Sequence, residues 1–325
     1  MKSKRHKVCV VGAGNWGQNH IRVLNEFGVL SGIVDNNESK LEYFGELYEG
    51  VELYSSLKSA LPSLFDGYVV STPASTHFDI TKKIIENGHH VLVEKPLAMT
   101  VQEAETLQEL ASNRSVNLMV GHLLLFHPAI LSIKRLIDQK RIGKLQYIYS
   151  NRLNFGTVRT EENILWSFAP HDISVFQFLV GAYPSSLICE GGIFLQSEVH
   201  DTTMTVLEYP GNIVGHIFVS WLHPFKEHRI VVIGSEGMIS YEDSSIDRAI
   251  YLYDKKIDLV KGNPVIQDGS AITIDYEHKM PLTEELRYFV DHLNGEPIEV
   301  AGCEHGIEVL RILETASHYL KKAND

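Results

Sequence analysis

The 325 residues, 44% hydrophobic and 22% charged, have globular composition and enough length for two medium domains or one large one. With 29 Lys and Arg against 41 Asp and Glu the net charge is −12, which excludes nucleic acid and anionic membrane as partners held through a basic surface. One helix N-terminus or one well-placed arginine can still hold a small phosphorylated molecule.

The opening stretch, with Lys2, Lys4, Arg5 and Lys7, reads as a solvated basic tail running into the first strand rather than as a secretion signal. No apolar run approaches the roughly 20 residues that a bilayer span needs. Cys9, Cys189 and Cys303 are odd in number and far apart, so a cytoplasmic protein with reduced thiols is expected.

From Lys7 to about residue 120, short Val/Ile-rich runs alternate with longer amphipathic stretches, the pattern of a parallel sheet covered by helices. Strands are predicted over Val8–Val11, Val29–Asp35, Gly67–Ser71, His89–Glu94 and Asn117–Val120. Asp79–Glu86 falls in a helix, and another starts at Thr100, whose spacing from Glu103 is that of a capping box, and runs to about Asn113. Residues 1–122 are thus read as a doubly wound α/β, Rossmann-type dinucleotide-binding domain.

From about residue 143 the texture changes to strand-like runs at Gln146–Ser150, Thr203–Tyr209, Ile213–Trp221 and Arg229–Gly234. The turns Pro210-Gly211-Asn212 and Ser235-Glu236-Gly237 predict hairpins in a mainly antiparallel open sheet. Two last helices, near Thr283–Asn294 and Glu304–Lys322, have apolar residues at helical spacing and are expected to form a cover that can return to the first domain. Residues 123–325 are read as an α+β domain for substrate binding and oligomerisation. Its broad apolar sheet faces predict a homodimer or homotetramer.

Gly12-Ala13-Gly14-Asn15-Trp16-Gly17 follows the first strand and opens a helix, the context that gives a G-x-G-x-x-G pattern its meaning. Gly12 permits the tight turn, Gly14 lets the backbone approach a pyrophosphate, and Gly17 lets the helix pack closely. Asp35 ends the second strand, 18 residues beyond Gly17, where a carboxylate accepts the adenosine ribose hydroxyls and repels a 2′-phosphate. NAD is therefore expected over NADP, and Asn36 and Asn37, in place of an arginine, agree. Read structurally, Asp35 is a turn acid. Ser71-Thr72-Pro73 ends the next central strand, at the ligand crevice of an open α/β sheet. His77 either touches the cofactor there or faces solvent at a helix start.

At Val91-Leu92-Val93-Glu94-Lys95-Pro96-Leu97-Ala98, a strand ending in Glu-Lys-Pro inside a Rossmann domain, the chain resembles the glucose-fructose oxidoreductase / inositol dehydrogenase (Gfo/Idh/MocA) family. The resemblance extends to Val120-Gly121 through Phe126-His127-Pro128, to the helix holding His171, to the Trp221 strand and to residues 232–238. It implies that Lys95 is the catalytic lysine and that Pro96 follows a cis peptide. An ammonium at that strand end would hydrogen-bond the hydroxyl being oxidised and stabilise alkoxide character. Glu94 is expected to orient Lys95 or to bind the nicotinamide ribose. The resemblance also implies that His171, near the start of an amphipathic helix beginning at Trp166, is the general acid/base, a role suited to imidazole. Ser167 stands where many members carry Asp and Leu125 where many carry Arg, so neither of those contacts is transferred. Asp172 either assists His171 or favours the helix dipole.

The segment from Asn151 to Trp166 is rich in long polar donors and reads as substrate-binding, the alternative being a solvated loop. Arg152 and Arg159 suit phosphate or carboxylate, Asn154 and Asn163 suit hydroxyls or an acetamido group, and Trp166 suits a sugar face. With Ala169-Pro170-His171-Asp172 it is similar to members acting on nucleotide sugars, the 3-dehydrogenases of UDP-N-acetylglucosamine or its uronic acid. A dehydrogenase of a free sugar or cyclitol, and a non-catalytic NAD-binding regulator, are the alternatives. No metal site is expected, because His122 and His127, His89 and His90, and His223 and His228 lack partners at ligand spacing.

Overall fold

The computed structural model describes residues 6–160 and 162–322, so Lys2, Lys4 and Arg5 of the basic tail, and Glu161, lie outside the described residues. By internal contacts the chain falls into two compact units, one up to Phe126 together with Lys279–Leu310, the other His127–His278 with the chain from Arg311 on.

In the first unit the order is β1 (Val8–Val11), α1 (Gly17–Glu26), β2 (Leu30–Val34), α2 (Glu38–Leu47), β3 (Glu52–Tyr54), α3 (Leu57–Ala60), β4 (Gly67–Val70), α4 (His77–Glu86), β5 (His90–Glu94), α5 (Val101–Arg114) and β6 (Leu118–Gly121). Among the described residues these strands form a six-stranded sheet, β3-β2-β1-β4-β5-β6, paired in parallel throughout. β1, β4 and β6 are buried at every residue, as continuous apolar runs must be when helices cover both faces. Local chemistry sets the helix starts. Thr100 Oγ1 accepts the Glu103 N–H at 3.2 Å while Glu103 Oε2 accepts the Thr100 N–H at 3.2 Å, and Asn37 Oδ1 accepts the Lys40 N–H at 3.3 Å. The chain order reverses between β1 and β4, which opens a crevice at the carboxyl ends of the strands.

The second unit runs α6 (Pro128–Asp138), β7 (Leu145–Phe155), α7 (Ile164–Val180), β8 (Ser186–Gly192), β9 (Thr202–Tyr209), β10 (Ile213–Ser220), β11 (Leu222–Gly234), β12 (Met238–Glu242), β13 (Ile250–Val260) and β14 (Asn263–Ile274). Its described strands make an eight-stranded sheet, β14-β13-β12-β11-β7-β10-β9-β8, antiparallel except where β10 meets β7. Gly211 and Asn212, both at positive φ, turn β9 into β10, and Tyr209 faces Ile213 across the hairpin. α7 covers one sheet face, burying Ile148, Leu207, Ile217 and Val219 beneath it, while Tyr147, Ile188 and Met204 stay exposed on the other. Trp221 is wholly buried and its Nε1 donates to Asp201 Oδ1 at 2.6 Å.

α8 (Pro281–Asp291) belongs to the first unit, where it packs on α1 and on the turn Leu123–Phe126. α9 (Cys303–Lys322) contributes its residues up to Leu310 to the first unit and the rest to the second. No helix among the described residues is long and apolar enough to cross a membrane.

Candidate active site

The glycine loop is built by close approach. Gly12 sits at φ +96°, and a Cβ there would lie 2.9 Å from the Ser71 backbone. At Gly17 a Cβ would stand 2.0 Å from the Gly12 carbonyl oxygen, so neither position accepts a side chain, whereas a Cβ on Gly14 would meet open space. Ser71 Oγ donates to the Gly12 carbonyl at 2.8 Å and fixes the turn. Asn15 and Trp16 are exposed, and no side chain caps the first turn of α1, which leaves that end to an anion.

Asp35 fastens this loop from β2. Its Oδ2 accepts the Ala13 N–H at 2.7 Å, its Oδ1 accepts the Asn37 N–H at 2.9 Å, and Lys40 Nζ lies 3.7 Å away. A cavity of about 510 Å³ joins Gly12, Gly14, Asp35, Ser71, Thr72 and Pro73. It also takes in Asn36, Lys40, Ser55 and Ser56, of which Asn36 alone stands out in the sequence, as a residue that is not an arginine. These residues fit a dinucleotide: a bare glycine backbone for the pyrophosphate and a carboxylate at the strand end for the ribose.

Beyond the cavity, β5 ends at Glu94, Lys95 follows it, and the Lys95–Pro96 peptide is cis, as the family resemblance implied. The Glu94 carboxylate is buried and accepts from Trp16 Nε1, from His20 Nε2 at 2.8 Å and from the Lys95 N–H at 3.2 Å. A Cβ on Gly121 would stand 3.0 Å from Glu94 Oε2, so the missing side chain on β6 makes room for the carboxyl. Burial pushes this group up, but the His20 bond and charge, Trp16 and the Lys95 charge outweigh it and hold the carboxyl below the usual range.

His77 neither faces solvent nor has a ring nitrogen to spare. It is 1% exposed, with Nδ1 2.7 Å from the Pro96 carbonyl and Nε2 2.9 Å from the Thr72 carbonyl, and so it ties the ends of β4 and β5 together. Nearby, His122 is buried with both ring nitrogens lacking a hydrogen-bond partner among the described residues, and its ring meets His305 at 5.4 Å. Burial, then His305 and Lys95, push His122 well down, and burial pushes His305 to about 4.

In the second unit Asn151, Arg152 and Asn154 lie on β7, which extends to Phe155. Arg152 is committed within the protein, its Nε donating to Asp172 Oδ2 at 2.6 Å and its Nη2 to Oδ1 at 3.2 Å. Asn163 caps α7, its Oδ1 accepting the Trp166 N–H at 3.2 Å, and Trp166 Nε1 donates to Ser317 Oγ at 2.9 Å. Arg159 is exposed, with its carbonyl accepting from Gln196 Nε2 at 2.9 Å.

α7 begins at Ile164 rather than Trp166, and it is buried on most of its surface rather than amphipathic. His171 and Asp172 therefore sit in its interior and not at its start, and Asp172 serves Arg152 rather than the helix dipole. Pro170 lies inside the helix, where its missing N–H leaves the Trp166 carbonyl without its usual donor.

Residues 6–122 match the NAD-binding Rossmann fold of the Gfo/Idh/MocA oxidoreductase family, and residues 130–240 match that family's C-terminal domain. The chain belongs to the Gfo/Idh/MocA family. It is 24% identical over 284 residues, 87% of either chain, to the UDP-N-acetylglucosamine 3-dehydrogenase of Acidithiobacillus ferrooxidans, and superposes on a structure of that protein with a TM-score of 0.84 over 97% of each chain. It is 30% identical over 185 residues, 54% of either chain, to the NAD-dependent scyllo-inositol 2-dehydrogenase of Bacillus subtilis. The WlbA dehydrogenase of Bordetella pertussis, solved with NADH and UDP-GlcNAcA, shares the fold with a TM-score of 0.80 at 19% identity, over 98% of each chain.

As a Gfo/Idh/MocA oxidoreductase the protein has an NAD-binding Rossmann domain followed by a mostly antiparallel α+β domain, and it is an NAD-dependent oxidoreductase acting on CH–OH groups. Sequence reasoning missed Lys40, Ser55 and Ser56, which enter the cavity from α2 and the β3–α3 turn. It also missed His20 and Glu285 around Glu94. The signal for His20 was its place one turn beyond Trp16 on the helix that the glycine motif opens.

Proposed function

We propose that this oxidoreductase uses NAD to oxidise the C3 hydroxyl of UDP-N-acetylglucosamine or of its uronic acid, giving a 3-keto sugar. The observation that carries the reading is the likeness to a UDP-N-acetylglucosamine 3-dehydrogenase along 87% of both chains, both domains included, against 54% for the scyllo-inositol dehydrogenase of Bacillus subtilis and 72% of this chain for an inositol 2-dehydrogenase of Rhizobium meliloti. Gly12, Gly14, Asp35 and the β4 end would hold the cofactor, and bound NAD supplies the hydride acceptor. In this reading Lys95 hydrogen-bonds the reacting oxygen and stabilises its developing negative charge, and His171 takes the hydroxyl proton. Arg159 is the arginine assigned to the diphosphate, since Arg152 is engaged by Asp172.

The test is NADH formation with UDP-N-acetylglucosamine, with its 6-carboxylate, and with free inositols and hexoses. Turnover confined to the free polyols would favour the second reading, a cyclitol or free-sugar dehydrogenase. That reading draws on the internal engagement of Arg152, which removes one phosphate ligand. Tyr147, Ile188 and Met204 on the open sheet face support a homodimer or homotetramer, to be read by light scattering on the eluting protein.

A further inference from the structure

Glu285, on α8, is wholly buried, and neither of its carboxyl oxygens has a hydrogen-bond partner among the described residues. A carboxylate in that position would lack both water and donors, a cost that a protein avoids by leaving the group protonated. The elements packed on α8 identify what faces it. α1 brings His20, itself bound to the Glu94 carboxylate at the end of β5, whose charge acts on Glu285, and the Leu123–Phe126 turn offers only apolar side chains. On α8 itself, Glu284 lies 3.9 Å from both Lys279 and Arg287, and Asp291 is exposed.

The two carboxyls differ in what they are given. Glu94 receives donors from Trp16, His20 and the Lys95 backbone, and Glu285 receives none among the described residues. We propose that Glu94 and Glu285 form a buried carboxyl pair carrying one negative charge between them, with Glu94 ionised and Glu285 keeping its proton, so that Glu285 is a positioning residue acting through Glu94. Burial and then the Glu94 charge push Glu285 well above the ordinary carboxylate range, while His20, Trp16 and the Lys95 charge hold Glu94 below it, so the one proton falls to Glu285.

This goes beyond the proposed sugar reaction and needs only the first unit. One consequence rests on the assignment of Glu94 to the nicotinamide end. The oxidised ring is cationic and the reduced ring neutral, so ionisation of Glu285 at alkaline pH adds an anion that favours the oxidised cofactor.

The experiment compares the melting temperature of the full-length protein with that of E285Q, which keeps shape and neutrality, from about pH 5 to about pH 9. The unfolded chain sheds this proton above roughly pH 4.3 while the folded one retains it, so the wild type loses ground as pH rises. E285Q is expected to gain on the wild type by roughly 2–4 °C per pH unit until the folded group ionises. In an E94Q background the gap between Glu and Gln at 285 should shrink. Parallel curves in the native background would overturn the proposal. Should E285Q fail to fold, the wild type alone decides: infrared absorption must show a protonated carboxylic acid at neutral pH, and its absence is equally fatal. In the cofactor arm, the NADH-to-NAD ratio of dissociation constants should rise at alkaline pH in the wild type and stay flat in E285Q; a flat wild-type ratio removes the positioning role.

Discussion

Arg152 grips Asp172 through two nitrogens, at 2.6 and 3.2 Å, and so latches the centre of the second sheet to the interior of α7, one residue from His171. Both side chains are largely buried, at 15% and 7% exposure, which makes this pair different from a surface ion pair. R152A and D172N are each expected to cost about 3–5 kcal/mol, because each leaves an uncompensated buried group. The double variant should lose much less than the sum, as measured by urea denaturation. Were Arg152 instead a ligand for substrate phosphate, R152A would raise KM at unchanged stability.

The glycine loop gives a contrast between two neighbouring positions. G17A would drive a methyl to 2.0 Å from the Gly12 carbonyl and should lower the melting temperature and abolish NAD binding together. G14A meets open space in the protein itself, so its melting temperature should be unchanged while NAD affinity falls, a split that titration calorimetry and thermal melts would reveal.

Lys95 and His171 are assigned chemical roles, not roles in holding the dinucleotide. K95A and H171A should each reduce turnover by about 10²–10⁴-fold with a much smaller change in NAD affinity. A variant that keeps its turnover would remove that residue from the mechanism.

Asp35 stands 3.7 Å from Lys40, so the acid expected to exclude a 2′-phosphate also shields a cation that would attract one. D35A should weaken NAD and raise the NADP-to-NAD ratio of kcat/KM by roughly tenfold or more, about 1.4 kcal/mol. D35A combined with K40A should lose most of that gain. The same carboxylate accepts the Ala13 N–H, so D35A is also expected to loosen the glycine loop.

Acid should destabilise the fold through its buried imidazoles. His305 is depressed to about 4 and His228 to about 3, the first by burial and the second by burial with the Arg152 and Lys226 charges. A histidine lowered in the folded state binds its proton more readily when unfolded, so stability is intact above about pH 6.5 and is lost as pH falls from there toward 4. H305Q should flatten that slope in a melting series, and an unchanged slope would show that His305 ionises freely in the fold.

The features legible in the amino-acid sequence are those with a local cause. β1 matches residue for residue, the Thr100–Glu103 capping box forms, and the Gly211–Asn212 turn closes its hairpin, because apolar continuity, caps and positive-φ turns act over a few residues. β3 was invisible, since three residues with two of them exposed leave no period to detect. β7 was cut short at Ser150 because Asn151, Arg152 and Asn154 are polar, and their places in the strand depend on partners far along the chain, Glu227 for Asn151 and Asp172 for Arg152. The helix expected to begin at Trp166 starts two residues earlier and carries Pro170 in its interior, where surrounding burial overrides the proline's cost. In the cofactor cradle, motif spacing found the glycines and Asp35. It could not find Glu285, since a lone glutamate among helical apolar residues has the same pattern whether it is solvated or sealed in.

The first compact unit is sewn from two stretches of chain that are far apart in sequence, and this bears on how the protein is made. Leu293 and Phe289 abut Gly67 on β4, and Leu286 and Phe289 are fully enclosed. A ribosome must therefore synthesise all of His127–His278 before it releases the piece that seals the nucleotide fold. Cutting the gene after Phe126 would yield a Rossmann sheet with a bare oily flank, prone to cling to chaperones, rather than an independent half.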